Sequence, residues 1–117
     1  MATRKVIIVI DDDPSMLRGL TRLLRADGFE VDTFSSTDRF YCSAEAVCII
    51  LDIHLNGQSG IEFSRRLTES GILLPTIFIT ADDSEATRKL ALEAGCIAYL
   101  TKPFAAEALL GALPRTK

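Results

Sequence analysis

Hydrophobic residues fall into short unbroken runs separated by stretches with helical spacing, and the first run sets the pattern. Val6-Ile7-Ile8-Val9-Ile10 has no polar alternation, as expected of a strand covered on both faces of a parallel sheet. It ends abruptly in Asp11-Asp12-Asp13. Beyond Pro14, the residues Met16, Leu17, Leu20, Leu23 and Leu24 recur at helical spacing, and Gly28 supplies a stop. Phe29 to Phe34 predicts a shorter second strand, after which Ser36 or Thr37 is placed to cap a brief helix through Tyr41. Val47-Cys48-Ile49-Ile50-Leu51 repeats the buried-strand pattern and ends in Asp52.

A loop from Ile53 to Gly60 leads into a helix containing Ile61, Phe63 and Leu67, which Gly71 breaks; Pro75 opens the strand Thr76 to Ile79, with Thr80 at its end. Asp83 or Ser84 can cap a helix running to Ala94, and Gly95 ends it. Ile97 to Leu100 reads as a fifth strand, and Thr101-Lys102-Pro103 precedes a short last helix from about Ala105. Five strands thus alternate with five helices. Such alternation predicts an α/β fold, a parallel sheet with helices on both faces in three layers, whose site lies beyond the carboxyl ends of the strands.

At 117 residues the chain fits one domain, residues 1–117, with 114–117 as the start of a linker or simply an end. Apolar residues at 48% and charged ones at 25% exclude disorder and fibrous repeats. A formal charge of −3 with scattered basic residues argues against direct nucleic-acid binding. No apolar run approaches the roughly 20 residues of a membrane span, and Met1 to Lys5 shows no cleavage pattern, so a cytoplasmic location with no membrane contact is expected. Cys42, Cys48 and Cys96 are odd in number and lack zinc-site spacing or histidine partners. Cys48 and Cys96 read as small buried apolar residues of a reduced protein.

Asp11 and Asp12 end strand one, Asp52 ends strand three, Thr80 strand four and Lys102 strand five, so the fold gathers them on one rim. Clustered carboxylates repel one another unless a cation compensates, which makes the group costly as mere structure. Mg²⁺ is the natural occupant, since it takes a few carboxylate oxygens together with carbonyls, waters and phosphate oxygens. Asp52, Thr80 and Lys102 then offer a carboxylate nucleophile, a hydroxyl and an ammonium to one transferable phosphoryl group.

In these residues the chain resembles the receiver domains of two-component response regulators. Ile10-Asp11-Asp12-Asp13, Leu51-Asp52, Ile79-Thr80-Ala81 and Thr101-Lys102-Pro103 follow the order and spacing of that family over essentially the whole length. The resemblance implies a flavodoxin-like sheet in the order 2-1-3-4-5 and a phosphorylation switch rather than a turnover enzyme. It implies Asp52 as the phosphoacceptor and Asp12 and Asp52 as Mg²⁺ ligands, joined by the His54 backbone carbonyl and, through water, Asp11. Thr80 and Lys102 would bind the phosphoryl group, Tyr99 would be the rotamer switch, and the Lys102–Pro103 bond would be cis. His54 and Asp82 occupy the positions flanking an attacking water and would tune phosphoryl lifetime. The implied partners are a sensor histidine kinase and an output module. The Thr-Ala-Asp-Asp loop and Lys-Pro-Phe are most similar to FixJ-type receivers, which usually precede a helix-turn-helix DNA-binding domain. A monomer is expected before phosphorylation, with dimerisation as a consequence of it.

Several residues also have plainer readings. Asp13, Asp82 and Asp83 suit a solvated loop and helix caps, Tyr99 an ordinary strand aromatic, His54 a loop side chain, and Asp52 with Lys102 a structural ion pair that leaves Asp11 and Asp12 unexplained. The family commonly has Met-Pro where this chain has Leu55-Asn56. Leu55 keeps the apolar anchor and Gly60 is retained, but Asn56 gives up the fixed φ of proline, which is expected to loosen the loop. Three other readings compete: an aspartate-nucleophile phosphohydrolase of the haloacid dehalogenase class, suggested by Asp52-Ile53-His54 but lacking its second acidic residue; a degenerate receiver used only for docking; and a Rossmann nucleotide site, which lacks its Gly-rich turn.

Overall fold

A computed structural model describes residues 4–114. The readings for Met1 to Thr3 and for the linker segment Arg115 to Lys117 lie outside the described residues. In chain order the elements are β1 (Val6–Ile10), α1 (Pro14–Ala26), β2 (Glu30–Phe34), β3 (Ala46–Asp52), β4 (His54–Leu55), β5 (Gln58–Ser59), α2 (Gly60–Glu69), β6 (Thr76–Thr80), α3 (Glu85–Glu93), β7 (Ala98–Thr101) and α4 (Ala106–Ala112).

The unbroken apolar runs form the middle of the molecule. The main sheet has the order β2-β1-β3-β6-β7, and every neighbouring pair is parallel. This is the expected five-strand order, since β4 and β5 form a separate two-stranded ribbon. All five residues of β1 are fully buried because alternate side chains serve opposite layers. Ile7, Val9, Cys48, Ile50, Ile77 and Ile79 pack with Leu20 and Leu24 of α1 and with Leu109 of α4. Ile8, Ile10, Ile49, Leu51 and Phe78 pack with Ile61, Phe63 and Leu67 of α2 and with Ala91 of α3. Each such aliphatic side chain contributes roughly 1.5–3 kcal/mol relative to exposure.

Polar residues set the helix starts. Asp13 precedes Pro14 and accepts the Ser15 N–H at 2.9 Å, so its role is a cap. Ser59 accepts the Glu62 N–H at 3.2 Å and Ser84 the Thr87 N–H at 3.2 Å. Helix α4, seven residues long and without a side-chain cap bond, is short as anticipated.

Three expectations are corrected. Residues 35–45, between β2 and β3, hold no helix. Ser36 and Thr37 spend their polar groups locally instead. The Asp38 N–H reaches Ser36 Oγ at 3.4 Å, and one turn closes from the Phe40 N–H to the Thr37 carbonyl at 3.3 Å. Phe40 covers the sheet there, its ring 5.4 Å from Phe34 and 5.3 Å from Phe63. Four helices are therefore present among the described residues, where five were read. Next, the segment Ile53 to Gly60, read as a plain loop, is a hairpin pairing His54 with Ser59 and Leu55 with Gln58. Asn56 and Gly57 have φ of 30° and 84°, the left-handed pair that a type I′ turn requires. Lastly, Cys96 is half-buried; Cys48 alone of the three cysteines is fully enclosed, and burial pushes its thiol up to about 12.

Candidate functional site at the carboxyl edge of the sheet

Parallel strands that end at the same level bring Asp11, Asp52, Thr80 and Lys102 together, as the sequence positions required. Asp11 follows β1, Asp52 closes β3, Thr80 closes β6 and Lys102 follows β7. Asp11 and Thr80 have no exposed surface, and Asp52 retains only 5%. One carboxylate oxygen each from Asp11, Asp12 and Asp52 lies within 4.8 Å of the others.

Lys102 holds this negative charge together. Its Nζ donates to Asp11 Oδ2 at 2.9 Å and to Asp52 Oδ2 at 3.3 Å. The Lys102–Pro103 bond is cis, and the Lys102 N–H donates to the Thr80 carbonyl at 2.8 Å. Burial works against the Lys102 charge, but the bonds and charges of Asp11 and Asp52 outweigh it and raise the ammonium's pKa. Asp52 is also raised, by burial first and by the Asp11 charge second, with Lys102 and the His54 N–H opposing. That N–H reaches Asp52 Oδ1 at 3.2 Å. Among the described residues no buried side-chain polar atom lacks a partner.

The hairpin forms one wall. The Gly60 N–H donates to the Ile53 carbonyl at 2.7 Å, and a Cβ on Gly60 would stand 2.2 Å from the Asp52 carbonyl oxygen. Only glycine lets α2 start this close to the strand end. At the hairpin tip the Asn56 N–H donates to Asp12 Oδ2 at 3.0 Å.

On the far side, a hydrogen-bonded route leads outward. Thr80 Oγ1 accepts the Asp82 N–H at 3.0 Å, and the Asp82 carbonyl accepts the Tyr99 hydroxyl at 3.0 Å. The half-buried Tyr99 ring carries the Arg88 guanidinium at 4.7 Å from its centroid, and Arg88 also pairs with Asp83 at 3.6 Å. Above the rim, His54 Nε2 lies 3.3 Å from Asp82 Oδ2, so the two residues singled out beside the site meet each other across it. The Ser84 N–H, followed by the Thr87 hydroxyl, holds the exposed Asp82 carboxyl below its ordinary value.

The residues read as a site thus lie on one rim, except Tyr99, which stands two positions back along β7 and joins the rim through the Asp82 carbonyl. Sequence reasoning missed two others. Asn56 contributes through its backbone, and the signal was present as an Asn-Gly pair between Leu55 and Gln58. Arg88 reaches Tyr99 only through the packing of α3 on β7, for which no local pattern exists.

Chemically, the arrangement is a buried carboxylate beside one fixed ammonium, with hard oxygen donors converging closely enough to suit a divalent cation. Known proteins share the family and the fold. The family model described as the response regulator receiver domain matches residues 7–114. The response regulator protein TmoT of Ectopseudomonas mendocina is 38% identical over 111 residues, which are 92% of this chain and 50% of that protein. The transcriptional regulatory protein TrcR of Mycobacterium tuberculosis is 32% identical over 110 residues, covering 92% of this chain and 43% of TrcR. The chain spans about half the length of the curated relatives it matches. Among solved structures, a response regulator protein from Burkholderia pseudomallei with a phosphorylated aspartic acid, a calcium ion and citrate superimposes with a TM-score of 0.83. It is 28% identical, over 94% of this chain and 66% of that one.

Proposed function

The chain belongs to the response regulator receiver domain family, and from that premise we propose that Asp52 accepts a phosphoryl group from the phosphohistidine of a sensor histidine kinase, in a reaction requiring Mg²⁺. The observation that carries this reading is the bridging of Asp11 and Asp52 by the Lys102 ammonium inside a ring of three carboxylates. Such a cluster fits a hard cation better than it fits a packed core.

In this reading Asp12, Asp52 and the His54 backbone carbonyl hold Mg²⁺, with Asp11 acting through water. Bound there, the cation supplies charge neutralisation for the phosphoryl oxygens. A carboxylate oxygen of Asp52 attacks phosphorus in line, the phosphorus–nitrogen bond breaks, and its electron pair leaves with the imidazole. Lys102 offsets the charge of the transferring group, and the Thr80 hydroxyl donates to one of its oxygens. Accepting the Asp82 N–H leaves the Thr80 proton free for this bond, so a turn of Thr80 draws the Asp82 N–H with it. The loop after β6 moves with it and Tyr99 follows, which biases the face made by α3, β7 and α4. His54 and Asp82 flank the approach of the water that later hydrolyses the acyl phosphate, and so set its lifetime.

Residues 1–117 act as one receiver domain, of which the family model matches 7–114. The relatives named for transcriptional regulation support a gene-regulatory output. A FixJ-type helix-turn-helix domain is the form we propose for it, so DNA contact falls to that domain, and phosphorylation promotes pairing of otherwise monomeric chains.

Intact-mass measurement after incubation with acetyl phosphate tests the reaction. One phosphoryl adduct is expected with Mg²⁺, and none with chelator or in Asp52→Asn. An adduct that persists in Asp52→Asn, or none in the wild type, overturns the assignment.

A further inference from the structure

Lys102 bonds two of the three carboxylates of the site, and the third, Asp12, is bonded from the hairpin instead. Lys102 Nζ reaches Asp11 and Asp52, whereas Asp12 Oδ2 receives the Asn56 backbone N–H at 3.0 Å. That donor sits at the tip of the β4–β5 hairpin and is held there from three sides. Asn56 and Gly57 supply the left-handed pair of a type I′ turn. Leu55, only 2% exposed, anchors the ribbon in the core, and Gln58 Oε1 accepts the Thr37 hydroxyl from the β2–β3 segment. At the base, the Gly60 N–H closes on the Ile53 carbonyl.

We infer that Asn56 is a positioning residue for the metal site: its backbone N–H fixes the Asp12 carboxylate through Oδ2 and leaves Oδ1 to the cation. The inference rests on the receiver reading and concerns this chain's own turn. A rigid donor to a ligating carboxylate orients the ligand before the metal arrives, and loss of such outer partners typically weakens metal binding ~10–100-fold. The asparagine side chain is needed only for its tolerance of positive φ; the N–H does the holding. Glycine or alanine retains that N–H, and proline does not.

The test is an NMR titration of the uniformly ¹⁵N-labelled protein with Mg²⁺ for wild type, Asn56→Gly, Asn56→Ala and Asn56→Pro, with thermal unfolding in chelator alongside. Asn56→Gly and Asn56→Ala are expected to bind Mg²⁺ like the wild type, even though the strained alanine turn lowers stability. Asn56→Pro, which loses the N–H and the positive φ together, is expected to raise Kd by ~10-fold or more, and the N–H is held responsible only if Asp12→Ala also accelerates amide exchange at Asn56. Equal weakening in Asn56→Ala and Asn56→Pro would make turn shape, not the N–H, responsible and would overturn the inference. Unchanged affinity in Asn56→Pro would do the same while leaving the receiver reading intact. A wild type that binds no Mg²⁺ would remove the metal site itself. Should Asn56→Pro fail to fold, amide exchange decides: Asp12→Ala must accelerate exchange at Asn56, and an unchanged rate overturns the inference.

Discussion

Burial of a carboxylate beside a second one has a measurable price at Asp52. Its pKa is raised by burial first and by Asp11 second, so the folded protein holds that proton more tightly than the unfolded chain does. Stability from this group is therefore greatest below the unfolded value, ~3.9, and is lost as pH rises through the higher folded value. Asp52→Asn removes the ionised form. In chelator at pH 7 it is expected to raise Tm by a few degrees, with the advantage shrinking as the pH falls below the ordinary carboxylate range. A lower Tm at pH 7 would mean that the Lys102 bond outweighs the repulsion. At this scale Asp11, Asp12, Asp52, Thr80 and Lys102 were legible in the sequence, because in a parallel sheet the residue ending each strand must stand on the same edge. Asn56 was legible as a residue, but its place in a turn was not. Its departure from proline drew attention to a lost constraint, while the following Gly57, which makes the pair a turn, was left out.

Among the elements, α3 matters most to the proposed switch, because its cap Ser84 lies two residues after Asp82 and one of its exposed side chains, Arg88, lies over Tyr99. Ser84 fixes that end through the Thr87 N–H and also bonds Thr87 Oγ1 at 2.8 Å. Ser84→Ala is expected to lower unfolding free energy by about 1 kcal/mol in urea titrations, whereas an unchanged midpoint would show the cap to be dispensable. Helix starts were readable from such caps, and strands from their apolar runs. The missing helix between β2 and β3 was not. Ser-Ser-Thr-Asp is a good cap signal only if an amphipathic run follows, and Phe40 and Tyr41 instead fill space against Phe34 and Phe63.

Across the whole molecule, the sheet is both scaffold and wire. Its carboxyl edge collects the charged cluster at β1, β3 and β7, and hydrogen bonds link Thr80 at the end of β6 through Asp82 to Tyr99 on the outer strand, the route the proposed switch would use. The loops above the rim are tied to the packing below it, since Ile53, Leu55 and Phe40 belong to the same cluster as Phe63 and Leu67 of α2. The strand order could be expected from the sequence only through the family resemblance; alternation alone fixes a parallel sheet and leaves several orders open. The most direct measurement is the amide spectrum of the ¹⁵N-labelled protein with Mg²⁺ and beryllofluoride, compared with Asp52→Asn. The account predicts shifts at the hairpin, in the loop from Thr80 to Ser84 and around Tyr99 in the wild type, and none of these in the mutant. Shifts confined to the immediate neighbours of Asp52, or equal shifts in the mutant, would contradict it.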